Sequence, residues 1–216
     1  MFGPPGSGKG TQARRLSKWL GVGIIATGDL LRAEAASGSE LGRELAALLA
    51  AGRFATDEQV NVMVKAKMAT LAGDGVILDG YPRTVSQARF LEQLLHEAGL
   101  GVPYILHLHV PTEVIVERLS TRRHCGACGL VYNLQIHLPK VVNMCDGCGS
   151  ALSVRNDDES QIIRRRLQDY RDQTGPVLSH YTTNCFTIDG NRQPDEVFSV
   201  AQDLLDPGKT RRNGLH

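Results

Sequence analysis

The stretch GPPGSGKGT, running from Gly3 to Thr11, constrains the fold more than any other part of the 216-residue sequence. Gly3, Gly8 and Lys9 fall in the frame G-x-x-x-x-G-K, whose glycines let backbone N–H groups turn inward toward a phosphate. Such a loop joins the end of a β-strand to the start of a helix, so that the positive end of the helix faces the anion. Lys9 adds a full charge for the outer phosphates. A flexible Gly/Pro-rich N-terminus would share the composition, but not the spacing or the helical pattern that follows at once. Gly10 stands where Ser or Thr usually follows the lysine, and Thr11 comes one place later. Only Met1 and Phe2 precede the loop, too few for the strand the frame requires.

Downstream, apolar strand-like runs alternate with amphipathic helical patterns. Residues 11–20 read as a helix with Ala13, Leu16, Trp19 and Leu20 at helical spacing. Residues 22–29 read as a short buried strand entering a glycine turn, and residues 30–52 as two helices broken at Ser37 and Gly38. Thr56 and Gln59 form a capping box for the next helix, with Gly73 as its stop. Strands are expected within residues 75–84, 104–110 and 185–190, and a long helix over 157–181 with a break at Gly175 and Pro176. The tail after Leu205 reads as disordered. This alternation predicts an α/β fold with a parallel sheet covered on both faces. Residues 125–153, rich in cysteine and turn formers, break the rhythm and read as a small insertion with its own stabiliser.

Net charge is +1, which argues against a general polyanion-binding surface. Lysine occurs only at 9, 18, 65, 67, 140 and 209; the other basic residues are arginines, whose planar forks grip phosphate oxygens in pairs. GC-rich codon usage would give the same bias with no functional meaning. No apolar run reaches membrane-spanning length and no signal peptide opens the chain, so a cytoplasmic protein without membrane partners is expected.

Four of the five cysteines form the pairs Cys125-x-x-Cys128 and Cys145-x-x-Cys148, each followed by glycine. In a reducing compartment such pairs read as metal before disulfide. Each loop can bend two thiolates onto one ion, and two loops complete a tetrahedron, which predicts structural zinc. Two short-range disulfides or an iron site are the alternatives. Four thiolates leave no open position for catalysis. Cys185 reads as a small core residue.

The segments GPPGSGKGTQ, TGDLLR and DGYPRT, in this order, resemble those of the adenylate kinases, over nearly the whole chain. The G-K-G-T ending is that family's form of the loop, and Tyr81 replaces a commoner Phe. The resemblance implies a P-loop three-layer sandwich with a central parallel five-stranded sheet in residues 1–26, 57–121 and 156–216. It implies a helical AMP-binding insert at 27–56 and a zinc-binding lid at 122–155. It further implies transfer of a phosphoryl group from MgATP to AMP, giving two ADP, by a monomer.

Residue by residue, it places Gly3, Pro4, Pro5, Gly6, Ser7, Gly8, Lys9, Gly10 and Thr11 on ATP. Arg122, Val131, Tyr132 and Arg192 join them. Thr27, Arg32, Arg53, Phe54, Ala55, Gly80, Tyr81, Pro82, Arg83 and Gln87 fall on AMP, with Gln87 reading the adenine edge. Arg155 and Arg166 act on the AMP side. Lys9, Arg83, Arg122, Arg155 and Arg166 supply charge compensation, which phosphoryl transfer needs more than covalent chemistry. Asp79, at a strand end, holds Mg2+ through its water shell. Arg123, Arg164 and Arg165 read as surface charges. No nucleophile or general base stands out.

Two other readings compete. A UMP/CMP-type kinase usually has a short lid without cysteines, and Thr27 with Gln87 speaks for adenine. A P-loop protein binding nucleic acid through a zinc ribbon would need more basic and aromatic residues than the knuckles carry. Finally, a truncated central strand should leave neighbouring backbone groups unpaired, at about 1–3 kcal/mol each. The natural chain is therefore expected to start a few residues upstream of Met1.

Overall fold

The computed structural model describes residues 1–51, 53, 55–71, 75–155, 158 and 160–206. Phe54, the stop expected at Gly73 and the tail lie outside the described residues. The loop runs directly into α1 (Lys9–Leu20), whose N-cap Gly8 has φ 89° and whose C-cap Gly21 has φ 70°. Ala13 and Leu16 are buried as their spacing predicts, but Trp19 and Leu20 are 43% and 42% exposed. The buried stripe of α1 is therefore narrower than its apolar residues suggest.

β1 (Gly23–Ala26) pairs in parallel with β2 (Val76–Asp79), and β3 (Ile105–His109) pairs in parallel with β7 (Cys185–Asp189). Between the two pairs lie Met1 and Phe2. Met1 N donates to Leu78 O at 2.7 Å, and Gly80 N donates to Met1 O at 3.4 Å. On the other side Phe2 N donates to Leu106 O at 2.7 Å, and Leu108 N donates to Phe2 O at 2.9 Å, making a parallel bridge with His107. Met1 and Phe2 thus pair with both neighbours along their own length. Two residues carry hydrogen bonds on both sides, and the end of β2 and the middle of β3 keep their partners. Phe2 itself is buried against Tyr181, with ring centroids 6.4 Å apart.

Alternation along β3 sorts its side chains to two faces. Leu106 and Leu108 join Ala13, Leu16, Ile188, Val197 and Ala201, so that α1 and α9 (Pro194–Leu205) cover one face. Ile105 joins Phe2, Ala88, Val177 and Tyr181, which brings α5 (Val85–Glu97) and α8 (Gly175–His180) to the other. The result is a P-loop α/β core with helices on both sides.

α2 (Thr27–Ala35) starts at once from β1, one turn earlier than the sequence suggests, and α3 (Glu40–Ala50) follows the expected break. Thr56 and Gln59 form the capping box of α4 (Asp57–Ala69). Leu31, Leu45, Val60 and Val64 bury the inner faces of these three helices together with Tyr81 and Leu91. After α6 (Thr112–Ser120), β4 (Arg122–Cys125) pairs antiparallel with β5 (Val131–Asn133) and β6 (Leu152–Ser153). This small lobe buries only Cys125, Tyr132, Cys145 and Leu152 together. Leu138 and Val142 remain 62% and 82% exposed, so the lobe lacks an apolar core of its own and needs a staple. The long helix resolves into α7 (Ser160–Asp169), a π turn (Tyr170–Thr174) and α8. The break therefore precedes Gly175 rather than falling on it.

Candidate functional site

The loop depends on glycine at Gly3, Gly6 and Gly8, whose positive φ values L side chains rarely adopt. Gly3 has φ 146°, and a Cβ there would lie 2.6 Å from Ser7 Oγ and 2.9 Å from Leu108 O. Gly3→Ala is expected to cost about 1–3 kcal/mol of stability, read as a lower denaturant midpoint with an unchanged m-value. Gly10 answers the departure from the usual loop ending, because a Cβ there would sit 3.0 Å from Asp79 Oδ2. The carboxylate packs against the loop where a larger side chain would intrude.

Lys9 folds back so that Nζ donates to Pro4 O at 3.1 Å. Burial pushes its pKa down to about 8; Asp79 pulls it up, while Arg83, Arg166 and Arg122 push it further down. The site therefore gathers more positive charge than it can neutralise by itself. Asp79 Oδ1 is buried without a protein hydrogen-bond partner. A buried carboxylate oxygen beside a phosphate-type loop fits the hydrated magnesium expected there.

A cavity opens over the loop, lined among others by Gly3, Lys9, Gly80, Arg83, Arg166 and Tyr170. Arg83 is braced by Nε donating to Gly80 O at 2.8 Å. Arg122 makes a two-pronged ion pair with Asp158, at 2.8 and 2.5 Å, and Arg166 approaches the same carboxylate at 3.8 Å. The Asp158 side chain is fully buried. Sequence reasoning missed it as one acid in the run NDDES, although a cluster of arginines calls for such a counter-charge. Tyr170, in the π turn, bonds His107 Nε2 at 3.2 Å.

A second cavity shares Arg83 with the first and is lined among others by Thr27, Leu31, Ala55, Gln87 and Gln173. Thr27 Oγ1 donates to Gly80 O at 2.9 Å, tying the start of α2 to the end of β2. Gln87 Oε1 accepts from Arg83 N at 2.8 Å and its Nε2 donates to Asp57 Oδ1 at 2.8 Å. Both ends of this amide have protein partners. Tyr81 is buried, its hydroxyl donating to Asn61 Oδ1 at 2.6 Å, and it precedes Pro82 through a cis peptide. Arg32 pairs with Asp29, and Arg53 is exposed; neither lines either of these two cavities.

Arg192 is exposed and pairs with Asp189 at 3.5 Å. The turn it flanks is fixed by Arg118, whose Nη1 donates to Gly190 O at 2.9 Å. No motif marked Arg118, which lies in an otherwise ordinary amphipathic helix. Arg165, read as a surface charge, donates to Ala51 O at 3.3 Å and so links α7 to the end of α3.

In the small lobe, the Sγ atoms of Cys125, Cys128, Cys145 and Cys148 all lie within 4.8 Å of one another. The short approaches, 3.4 Å each, are Cys125 to Cys148 and Cys128 to Cys145. They run across the two knuckles rather than within either one. That cross-pairing is the reverse of two local disulfides and close to the edge of about 3.8 Å for a tetrahedron of zinc-bound sulfurs. Val131 leads β5, but the Tyr132 side chain is buried in the knuckle and stacks on His137, with centroids 5.1 Å apart. Cys185 is separate, and burial pushes its thiol pKa up.

A family model described as adenylate kinase matches residues 1–186. The adenylate kinase of Thermosipho melanesiensis is 40% identical over 208 residues, covering 95% of this chain and 97% of the relative. Those of Anaeromyxobacter dehalogenans and Thermodesulfovibrio yellowstonii are 39% and 41% identical, again with 95% and 97% covered. With the phosphate loop, the paired cavities and the arginine cage already in place, these matches over nearly the full length settle the family: the chain belongs to the adenylate kinases.

Proposed function

We propose that the chain transfers a phosphoryl group reversibly from MgATP to AMP, giving two ADP, with its roles divided between the two cavities. The observation that carries this reading is the convergence of Lys9, Arg83 and Arg166 on the cavity over the loop, with Arg83 shared by the cavity next to it. A group passing from one nucleotide to another needs cations common to both sites. Lys9 and the loop amides of residues 3–11 hold the donor phosphates, and Arg83 and Arg32 hold the acceptor phosphate. Arg122, Arg155 and Arg166 neutralise the group in flight. Thr27, Ala55, Gly80 and Gln87 shape the acceptor pocket. Asp57 and the Arg83 amide take one hydrogen and one lone pair of the Gln87 amide, and its second hydrogen and second lone pair are what it offers the adenine edge.

Magnesium supplies charge neutralisation on the donor phosphates, and Asp79 is the residue that orients its water shell. Zinc in the four cysteines stabilises the lobe at 122–155, which acts as a lid over ATP, beside Val131 and Tyr132. Residues 27–56 are assigned to the acceptor insert, and 1–26, 57–121 and 156–216 to the core. There β1, β2, Met1–Phe2, β3 and β7 act as one five-stranded parallel sheet. We take the protein to be a cytoplasmic monomer without nucleic-acid or membrane partners. Among the described residues no helix is long and apolar enough to cross a membrane.

A coupled assay with AMP, CMP, UMP and GMP as acceptors tests the assignment. AMP should be preferred by at least about tenfold in kcat/KM, a difference of about 1.4 kcal/mol in transition-state binding. Preference for CMP or UMP would move the chain to the runner-up class.

A further inference from the structure

The hydroxyl of Tyr132 lies between two groups of the second cysteine knuckle. It accepts from Asp146 N at 2.7 Å and donates to Cys145 Sγ at 3.6 Å. Tyr132 itself is on β5, after the first knuckle, and only 2% exposed. Its ring lies parallel to His137, with an interplanar angle of 3°. A phenol has one proton to give. The Asp146 amide occupies an acceptor lone pair, so the proton is directed at the sulfur. We infer that Tyr132 is a positioning residue for the lid metal, which orients Cys145 and couples the second knuckle to strand β5.

This inference rests on the reading of the four cysteines as a metal site. Four thiolates on one divalent cation carry excess negative charge, and hydrogen-bond donors to the sulfurs relieve it. Backbone N–H groups of Leu130, Gly147 and Ser150 serve Cys128, Cys145 and Cys148 from within the knuckles. Tyr132 differs because it reaches across from the other hairpin. It ties the position of Cys145 to the strand that carries Val131, the segment assigned to the nucleotide. The lid metal and the nucleotide-facing strand therefore share one side chain.

Tyr132→Phe keeps the ring and its stack and removes only the hydroxyl. In the full-length protein, titration of Zn2+ against a chromogenic chelator should show affinity reduced about 10- to 100-fold, the usual effect of losing an outer-shell partner. The thermal stability of the zinc-free protein should be unchanged. Affinity within twofold of wild type would overturn the inference, as would equal destabilisation of the zinc-free and zinc-loaded forms, which would mark a packing role. Wild-type protein that fails to bind Zn2+ would overturn the metal reading itself. A second measurement needs no variant. In wild-type protein labelled with fluorotyrosine, one of the five tyrosine 19F resonances should move in step with one equivalent of Zn2+. Five unmoved resonances would also overturn the inference.

Discussion

Lys9→Met is expected to cut kcat by about 10²–10³-fold, the usual loss when a donor aimed at developing transition-state charge is removed. The same substitution should make the nucleotide-free protein more stable. Lys9 is partly buried near Arg83, Arg166 and Arg122, and desolvation pushes its pKa down to about 8 from the ordinary 10.5. That difference corresponds to about 3 kcal/mol held against the charged form in the folded state. Because the folded value lies below the unfolded one, the unfolded chain binds more protons between the two. The penalty is full below about pH 8 and fades as pH rises toward 10.5. The stability gain of Lys9→Met should therefore be largest at neutral pH and shrink in alkali. Chemical denaturation of both proteins at pH 7 and pH 10 checks this. A variant that is both inactive and less stable at pH 7 would contradict it. Nucleotide phosphates would remove the penalty by supplying the missing negative charge, so the cost of the empty site becomes binding energy.

Removing the zinc proposed for the four cysteines should have the largest structural effect. The lobe buries Cys125, Tyr132, Cys145 and Leu152 as a cluster, and two of those belong to the four cysteines proposed to hold zinc. Zinc binding in such small lobes is worth about 10–16 kcal/mol and amounts to their folding energy. Chelation, or Cys145→Ser, should therefore unfold residues 125–153 while leaving the core intact. Hydrogen exchange should show lost protection at the β4–β5 and β4–β6 pairings and unchanged protection in β3 and β7. Retained protection across β4 after metal removal would refute the staple. Activity should fall as well, because Arg122 begins β4 and is aimed by Asp158 from beyond the lid.

Features that depend on local spacing were legible in the sequence. The phosphate loop, the Thr56–Gln59 box and the two cysteine pairs each act within a few residues, so their chemistry shows in the string. Features that depend on distant partners were not. Met1 and Phe2 are hydrogen-bonded on both sides because β2 and β3 present backbone groups to them. Nothing within residues 1–12 signals that. Gln87 reads as the partner of the adenine edge, but Asp57, on another helix, takes one of its two donor hydrogens. Asp158 shows its role only once Arg122 and Arg166 are folded onto it. Tyr132 faces the cysteines because of the register of β4 and β5, which pairs it with Arg123. A one-residue slip would turn it outward. The π turn at Tyr170–Thr174 is likewise a product of packing, since Gly175 and Pro176 are the obvious breakers and α8 continues through both.

The central claim is that the two cavities exchange a phosphoryl group directly between nucleotides. Phosphorus NMR of MgATP and AMP with the enzyme tests it without coupling enzymes. ADP should appear at twice the rate at which AMP disappears, and ADP alone should be converted back to ATP and AMP. Loss of ATP to ADP and free phosphate, with AMP untouched, would show transfer to water instead and contradict the account.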